Sequence, residues 1–302
     1  MRVLVTGANG YVGRAVVAAL SASGHDPVAM VRREGPVSDA SEVRVADLLD
    51  DAALRQAVAG VDAVCHLAGL TRARESISEP LRYFRVNTAG TIALLDAMNW
   101  AGVRKLVFAS TGSIYGTPDR QPMSEELPDA PPHAYASSKL AAEMGIEAQC
   151  RAGHLAAGII RMLNVAGGAD PDPTRLVPRA LDAAAGRSVL AINGPGTAVR
   201  DYLHITDAAD AFVASLEHLP AVGKAERYNI GSGSGKSVLD VVAAVERVTG
   251  RRVPLEHRPP AAEPTALISN SSKARSEIFW TPKHSDIDEI VRHAWRTSFV
   301  AR

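Results

Sequence analysis

Tyr135 and Lys139 stand four residues apart in the segment HAYASSK, which covers residues 133–139. In a helix this spacing brings two side chains to the same face. A phenol beside an ammonium group can remove the hydroxyl proton of an alcohol while a hydride leaves the carbon atom that carries the hydroxyl group. Because the spacing is common on ordinary helices, the pair is a catalytic candidate only if the rest of the chain supplies a hydride acceptor.

This chemistry depends on the pKa of the tyrosine. A free phenol has a pKa of about 10 and is a poor base at neutral pH. A lysine cation about 4 Å away in a half-buried site contributes up to ~4 kcal/mol before the cost of desolvation is counted. Since one pKa unit corresponds to ~1.4 kcal/mol, we expect Lys139 to lower the pKa of Tyr135 by about two to three units.

A glycine-rich turn near the start of the chain predicts the site of the hydride acceptor. The strand candidate 2–6 runs into GANGYVG at residues 7–13 and then into a helical pattern. Glycines three residues apart permit a tight turn and a close approach of the backbone to a diphosphate, and the helix N-terminus offers free N–H groups. The predicted dinucleotide contacts in this turn are Gly7, Asn9, Gly10, Tyr11, Val12 and Gly13.

The end of the second strand bears on which dinucleotide binds. An acidic residue is expected there when the ribose carries a free 2′-hydroxyl, but the sequence at 31–34 is VRRE. Guanidinium groups suit a 2′-phosphate, so Arg32 and Arg33 favour NADP over NAD, while two solvated loop arginines remain the alternative. Further cofactor contacts are predicted after the third and fourth strands, at Asp47, Leu48, Leu67, Ala68 and Gly69.

Composition excludes several classes of protein. The chain has 302 residues, 46% of them hydrophobic, with 33 basic and 33 acidic residues, so the basic excess of a nucleic-acid binder is missing. No apolar run approaches the ~18–20 residues of a membrane span, and no signal peptide is expected. Cys65 and Cys150 lie far apart without metal-ligand spacing. We therefore expect plain thiols, no metal site and a cytoplasmic protein.

Strands and helices alternate through the first half of the chain. This pattern predicts a Rossmann-type, doubly wound parallel sheet over residues 1–163, joined by a returning strand or helix near 200–218. A smaller α+β lobe for substrate is expected over 164–302, and GSGSGKS at 231–237 is interpreted as a turn entering a helix. The predicted strands are 2–6, 27–31, 42–45, 63–67, 105–110 and 155–161. The predicted helices are 11–22, 52–59, 80–101, 134–152, 206–218, 237–250 and 286–299.

The whole chain resembles the extended short-chain dehydrogenase/reductase family and is most similar to its UDP-glucose 4-epimerase branch. The matching segments run in order along the chain, so their combination is far more specific than any one motif. They are VTGANGYVG at 5–13, CHLAGLTRARESISEPLRYFRVNTAGT at 65–91, FASTGSIYG at 108–116, YASSK at 135–139, RMLNVAGG at 161–168, AVRDYLHITDAADA at 198–211, YNIGSGSGKSVLDVV at 228–242 and FWTP at 279–282.

The resemblance implies roles for individual residues. Tyr135 and Lys139 match the family's catalytic tyrosine and lysine, and Thr111 matches its catalytic Ser/Thr, which orients the substrate oxygen. Asn87 is implied to tie the backbone of the active site together, and Asn87, Tyr135 and Lys139 are also predicted to contact the cofactor. The implied substrate contacts are Thr111, Gly112, Ser113, Asn164, Arg200 and Arg258. Arg200 and Arg258 resemble arginines that hold a diphosphate, although Arg258 is displaced in register and Glu263 stands where Asp is expected.

Three functions remain open at this stage. The first is a nucleotide-sugar 4-epimerase that works through a transient 4-keto sugar with NAD(P). The second is an NADPH-dependent reductase of a keto group, either in a 4-keto nucleotide sugar or in another small carbonyl compound. The third is a non-catalytic dinucleotide-sensing protein. Dehydration is disfavoured because Gly112-Ser113 follows Thr111 in place of an acidic pair. Helices 80–101 and 134–152 commonly pair across a dimer in this family, so a homodimer is expected.

Overall fold

The computed structural model of the protein describes residues 1–260 and 264–300. Its strands, in chain order, are β1 (Arg2–Thr6), β2 (Asp26–Val31), β3 (Glu42–Val45), β4 (Ala63–His66), β5 (Lys105–Thr111), β6 (Ala156–Met162), β7 (Asn164–Ala166), β8 (Leu190–Asn193), β9 (Val199–His204), β10 (Ala225–Ile230), β11 (Gly235–Ser237), β12 (Leu255–Arg258) and β13 (Ala266–Leu267). Its helices are α1 (Tyr11–Ala22), α2 (Asp51–Ala57), α3 (Ala73–Ser78), α4 (Pro80–Tyr83), α5 (Gly90–Ala101), α6 (Ala134–Arg151), α7 (Leu176–Ala184), α8 (Ile205–Glu217), α9 (Val238–Thr249), α10 (Ser272–Glu277) and α11 (Ile287–Val300).

The main sheet has seven strands in the order β10-β6-β5-β4-β1-β2-β3. Every neighbouring pair in it is parallel. The order reverses between β1 and β4, and an open sheet of this kind binds ligands at such a point, beyond the carboxyl ends of its strands. The predicted Rossmann-type fold is therefore confirmed.

Helices cover both faces of this sheet, which explains why its central strands are apolar throughout. Val16 of α1 and Phe212 of α8 are buried in the core on one face. Leu94 of α5 and Ile146 of α6 are buried in the core on the other face. The six predicted strands of the first half all form, with ends that differ by at most one residue.

A second group of elements lies beyond β6. Strands β7, β9, β11 and β13 form a small sheet, and β8 pairs with β12. Helices α7, α9 and α11 share a third apolar core, in which Leu181, Val241 and Ile290 are buried. GSGSGKS enters helix α9 through β11, where Ser237 and Asp240 form a reciprocal capping box.

Two parts of the second half return to the main sheet. Helix α8 packs against its core, and β10 is its edge strand beside β6. Strand β9, at 199–204, instead pairs with β7 in the small sheet. Helix α8 lies in the region near 200–218 where the sequence suggested a returning strand or helix, and the returning strand β10 follows it at 225–230. The division of the chain into units at residue 163 stays a prediction.

The helix predicted over 80–101 consists of three parts. Between α4 and α5 lies a π-helical turn, Phe84–Ala89, which contains the buried Asn87. Such turns are rare and are frequently found at functional sites. Helix α7 was not predicted either, since its residues follow directly on a Gly/Asp/Pro-rich segment.

Candidate active site

A cleft of about 1160 Å³ opens at the carboxyl edge of the main sheet. Almost all of the predicted cofactor residues line it: Gly7, Asn9, Gly10, Tyr11, Val12, Gly13, Arg32, Arg33, Asp47, Leu48, Leu67, Ala68, Gly69, Tyr135 and Lys139. Four of the predicted substrate residues line the same cleft: Thr111, Ser113, Asn164 and Arg200. The fold thus brings residues from very different parts of the sequence to one place.

The glycine turn has a shape that larger residues would not allow. Gly7 has a φ of +68°, and a Cβ on it would come within 2.9 Å of the Ala68 backbone. A Cβ on Gly13 would lie 2.1 Å from the Gly7 carbonyl oxygen, which no real contact permits. Within the described chain, no acidic residue occupies the first turn of α1 and no side chain caps it. Its free N–H groups and the close backbone therefore fit a dinucleotide diphosphate.

Arg32 and Arg33 lie directly after β2, exposed to solvent at one end of the cleft. Asp47 is also exposed there, whereas Leu48 is buried, and its Cβ would lie 3.0 Å from a Cβ built on Gly90. These positions agree with contacts to the adenosine half of a dinucleotide, where the charge at the end of β2 distinguishes a 2′-hydroxyl from a 2′-phosphate.

A loop after β7 closes over the glycine turn. The Tyr11 hydroxyl donates a hydrogen bond to the Gly167 carbonyl. The Arg175 guanidinium lies 5.5 Å from the centre of the Tyr11 ring and forms an ion pair with Asp170 at 3.2 Å. Burial raises the pKa of Tyr11, with a further contribution from Asp170. Sequence reasoning missed Arg175 and Asp170, because nothing in a Gly/Asp/Pro-rich segment indicates that it folds back onto residue 11.

The catalytic candidates are held by helix α6 and strand β5. His133 caps α6 through its side chain, which accepts from the Ala136 N–H, so the helix begins just before Tyr135. Thr111 is the last residue of β5 and is hydrogen-bonded to the phenol of Tyr135. The cap and the strand end together bring the tyrosine to the cleft.

Lys139 is 3% exposed, and its ammonium donates a 2.9 Å hydrogen bond to the Ala109 carbonyl. The ammonium also lies 4.7 Å from the centre of the Phe108 ring. Burial lowers the pKa of Lys139 to about 8, and the nearby Glu143 carboxylate opposes that change. Lys139 therefore titrates close to physiological pH.

The predicted fall in the pKa of Tyr135 is wrong for the protein by itself. Burial raises the pKa of the phenol, while the hydrogen bond from Thr111 and the charge of Arg175 lower it by less. The prediction assumed an ammonium aimed at the phenol, but the Lys139 ammonium is bound to the Ala109 carbonyl. Arg175 is the cation whose charge lowers the pKa of this phenol.

Asn87 does not line the cleft but holds its wall. Its Oδ1 accepts from the Leu70 N–H at 2.8 Å, and its Nδ2 donates to the Leu70 carbonyl and to the Ser138 hydroxyl. A Cβ on Gly69 would meet Asn87 Oδ1 at 2.9 Å, so the loop passes very close to this side chain. Asn87 thus joins the loop after β4 to helix α6.

The predicted substrate residues divide into two sets. Asn164 is exposed and donates to the Asp201 carbonyl at 3.2 Å, and Arg200 donates to the carbonyls of Val199 and Pro264. Gly112 is buried behind the cleft wall, where a Cβ would lie 2.9 Å from the Leu163 side chain.

Arg258 lies outside the cleft lining, exposed on β12. Its backbone pairs with Asn193 of β8, so Arg258 belongs to the two-stranded sheet of β8 and β12. Its charge nevertheless reaches Arg179, whose pKa is lowered by burial and by the charges of Arg258 and Arg74. Glu263, which stands where an aspartate is expected, lies outside the described residues.

A family comparison covers the segments that form this cleft. The model of the NAD dependent epimerase/dehydratase family matches residues 3–231, more than half of the chain. The chain belongs to this family. The resemblance identified from the sequence motifs is therefore confirmed.

Known relatives match nearly the full length. The UDP-glucose 4-epimerase of Lacticaseibacillus casei is 38% identical over 317 residues, covering 98% of this chain and 96% of the relative. Among solved structures, UDP-glucose 4-epimerase from Brucella ovis in complex with NAD has a TM-score of 0.91 at 34% identity, covering 98% and 97%. That from Stenotrophomonas maltophila, with bound NAD and formylated UDP-arabinopyranose, has a TM-score of 0.93 at 31% identity, covering 100% and 98%.

None of the helices within residues 1–260 and 264–300 has the length and apolar character needed to cross a membrane.

Proposed function

We propose that this protein is an NAD-dependent epimerase that inverts C4 of a nucleotide sugar. The observation that carries the proposal is the meeting of Tyr135, Thr111 and Lys139 at the carboxyl edge of the sheet, beside a glycine turn shaped for a diphosphate. The full-length similarity to UDP-glucose 4-epimerases supports the same reaction and favours a UDP-sugar as substrate.

Bound NAD supplies a hydride acceptor and donor and, when oxidised, a positive charge that favours the deprotonated phenol. Tyr135 takes the proton from the sugar hydroxyl, while Thr111 hydrogen-bonds the same oxygen and orients it. After the keto sugar turns over in the cleft, Tyr135 returns the proton. Arg175 contributes a positive charge that favours the phenolate, and Lys139 contributes a buried positive charge one turn further along α6.

Cationic residues support a substrate with a diphosphate. Arg74 and Arg200 both line the cleft, and the charges of Arg74 and Arg258 both act on the guanidinium of Arg179. Guanidinium groups bind phosphate oxygens through bidentate hydrogen bonds, so these arginines suit a diphosphate. Binding through the nucleotide diphosphate leaves the sugar free to turn over, as inversion requires.

One incubation separates this reaction from net reduction. Purified protein with its retained dinucleotide is mixed with UDP-galactose, and UDP-glucose is followed without added cofactor. An epimerase converts many equivalents of substrate, because each hydride returns to the sugar. A requirement for one NADPH per product would contradict the proposal and favour a reductase.

Arg32 and Arg33 favour one variation of this proposal, in which NADP is used. They support it because both line the cleft at the end of β2, where a 2′-phosphate would bind. NAD in the solved relatives supports the unphosphorylated cofactor. Dissociation constants for the two dinucleotides, with Arg32→Ala and Arg33→Ala as variants, separate the two: a preference for NADP that both variants abolish supports NADP, and tighter NAD binding excludes it.

We also propose a homodimer formed through α4, α5 and α6. Large apolar side chains are exposed on these elements: Leu81 of α4 at 75%, Phe84 of the π-helical turn at 38%, Ile92 of α5 at 47% and Met144 of α6 at 60%. Helix α6 packs against α4, α5 and the turn between them. Apolar side chains exposed on neighbouring helices support a second copy of the chain as their partner.

A further inference from the structure

Three side chains of α6, each four residues after the last, contact the last three residues of β5. The contacts are Tyr135 to the Thr111 side chain, the Lys139 ammonium to the Ala109 carbonyl, and the Glu143 carboxylate to the Ser110 hydroxyl, which donates to it. Since residues four apart share one face of a helix, this face of α6 is joined to the strand end by polar contacts along two turns. The first two contacts involve the proposed catalytic pair, and the third lies one turn further on.

Glu143 is completely buried and held from several sides. Arg161 donates to both of its oxygens, from Nε at 3.1 Å and from Nη2 at 2.6 Å. Arg227 approaches to 3.4 Å, and Arg161 also pairs with Asp129 at 2.9 Å. A buried carboxylate held by this many charged donors is fixed in position. It is therefore a rigid anchor point beneath the active site.

We propose that Glu143 is a positioning residue for the reaction: it holds α6 in register with the end of β5, and its negative charge supports the ammonium of Lys139. The inference rests on the proposed function, because it takes Tyr135 and Lys139 as the proton-transfer pair. The register matters because a shift along the strand would separate the phenol from Thr111 and the ammonium from the Ala109 carbonyl at once.

The charges around Lys139 and Glu143 determine the expected pH behaviour. Lys139 faces Glu143 on its own helix and His66 on β4, and burial with the Lys139 charge lowers the pKa of His66 to about 3, so His66 is neutral. Glu143 faces Arg161 and Arg227, and Arg227 also pairs with Glu147. Glu143 is thus the negative charge that raises the pKa of Lys139 against burial.

The first test is the affinity for NAD as a function of pH, measured by titration with wild type, Glu143→Gln and Glu147→Gln. Wild-type affinity should fall as pH rises through about 8, where Lys139 loses its charge. In Glu143→Gln this fall should begin about one pH unit lower, because the supporting carboxylate is gone. Glu147→Gln is the matched control: it removes a carboxylate that pairs with the same Arg227 but should keep the wild-type profile. An unmoved profile in Glu143→Gln overturns the electrostatic role.

The second test removes the contact without unpairing the buried arginines. Ser110→Ala should lower kcat by roughly five- to twenty-fold with KM unchanged, because the substrate still binds while Thr111 and Tyr135 lose their register. An unchanged kcat in Ser110→Ala overturns the positioning role. A variant whose kcat falls and whose KM rises by the same factor overturns it as well. If Glu143→Gln does not fold, this split decides the proposal. If no epimerase turnover is found in wild type, the proposed function fails, and the pH profile of NAD binding still decides the role of Glu143.

Discussion

At the scale of single residues, burial and hydrogen bonding act in opposite directions on the pKa of Tyr135. Burial raises it, and Thr111 and Arg175 oppose that rise. A group that must both take and return a proton works best when its pKa lies near the operating pH. The raised pKa keeps the phenol protonated in the free protein, so the base is formed only when the cleft holds compensating positive charge.

Replacing Tyr135 by Phe removes the proposed proton carrier while preserving the ring. We expect kcat to fall by about 10²–10⁴-fold, the usual contribution of a positioned acid or base. Conversion of UDP-galactose, measured with matched NAD content, checks this. Tyr228→Phe, in a ring that packs beside Lys273 away from the cleft, is the control and should keep wild-type turnover. Equal rates for both variants would point to another base.

The depressed pKa of Lys139 predicts a loss of turnover at alkaline pH. Burial lowers this pKa from 10.5 to about 8, so Lys139 is fully protonated well below pH 8 and loses its charge as pH rises through that value. Turnover should fall over the same interval if the charge of Lys139 supports the proton transfer. A kcat profile from pH 6 to 10 measures it, and a plateau that extends to pH 10 would contradict this role.

The same depressed pKa affects stability with the opposite sign. Between about pH 8 and 10.5 Lys139 is protonated in the unfolded chain but largely deprotonated in the folded chain. Burial of Lys139 therefore costs the most stability below about pH 8, and this cost decreases as pH rises towards 10.5. Activity and the contribution of Lys139 to stability should thus change in opposite directions across this interval.

At the scale of elements, the glycine turn and α1 must fit together closely before a diphosphate can approach. Gly13 makes the tightest contact, since its Cβ position lies 2.1 Å from the Gly7 carbonyl oxygen. The π-helical turn has a comparable role on the other side, because it directs Asn87 towards Leu70 and Ser138. Both elements shape the backbone of the cleft more than they supply reactive groups.

Gly13→Ala should therefore weaken cofactor binding strongly while the protein still folds. The added methyl group forces the turn away from helix α1, and we expect the affinity for NAD to fall at least about a hundredfold, as loss of a well-placed diphosphate contact allows. Calorimetric titration measures the affinity, and circular dichroism checks the fold. Gly35→Ala is the control, because no atom lies within 4 Å of its Cβ position. Unchanged affinity in Gly13→Ala would contradict the proposed diphosphate site.

At the scale of the whole molecule, the cleft lies between the main sheet and the elements that follow β6. Tyr11 and Gly167, from opposite ends of the first 170 residues, are joined by a hydrogen bond over the cleft. Arg72 and Asp172 approach to 3.8 Å and join the loop after β4 to the same covering segment. The proposed substrate site therefore requires both groups of elements, even though the glycine turn belongs to the main sheet alone.

The proposed dimer gives a prediction at this scale. Leu81→Glu places a charge on the exposed apolar face of α4 and should convert a dimer into a monomer, because burying an unpaired carboxylate is strongly unfavourable. Light scattering coupled to size-exclusion chromatography measures the mass, for which one chain is 31.8 kDa. Val189→Glu, a comparably exposed apolar residue outside these helices, is the control. A wild-type monomer, or a Leu81→Glu dimer, would exclude this interface.

The sequence by itself determined the sheet, the glycine turn and the identity of the catalytic candidates. Strand periodicity, glycine spacing and the Tyr135/Lys139 pair are local patterns, and local patterns can be identified from a short stretch of sequence. Only the tertiary structure decided which groups act on those candidates. The Ala109 carbonyl accepts a hydrogen bond from the Lys139 ammonium, and Arg175 folds back towards Tyr135. Glu143 is buried among Arg161, Arg227 and Ser110. The physical reason is that burial and charge depend on distances in space, which connect residues that no spacing along the chain relates.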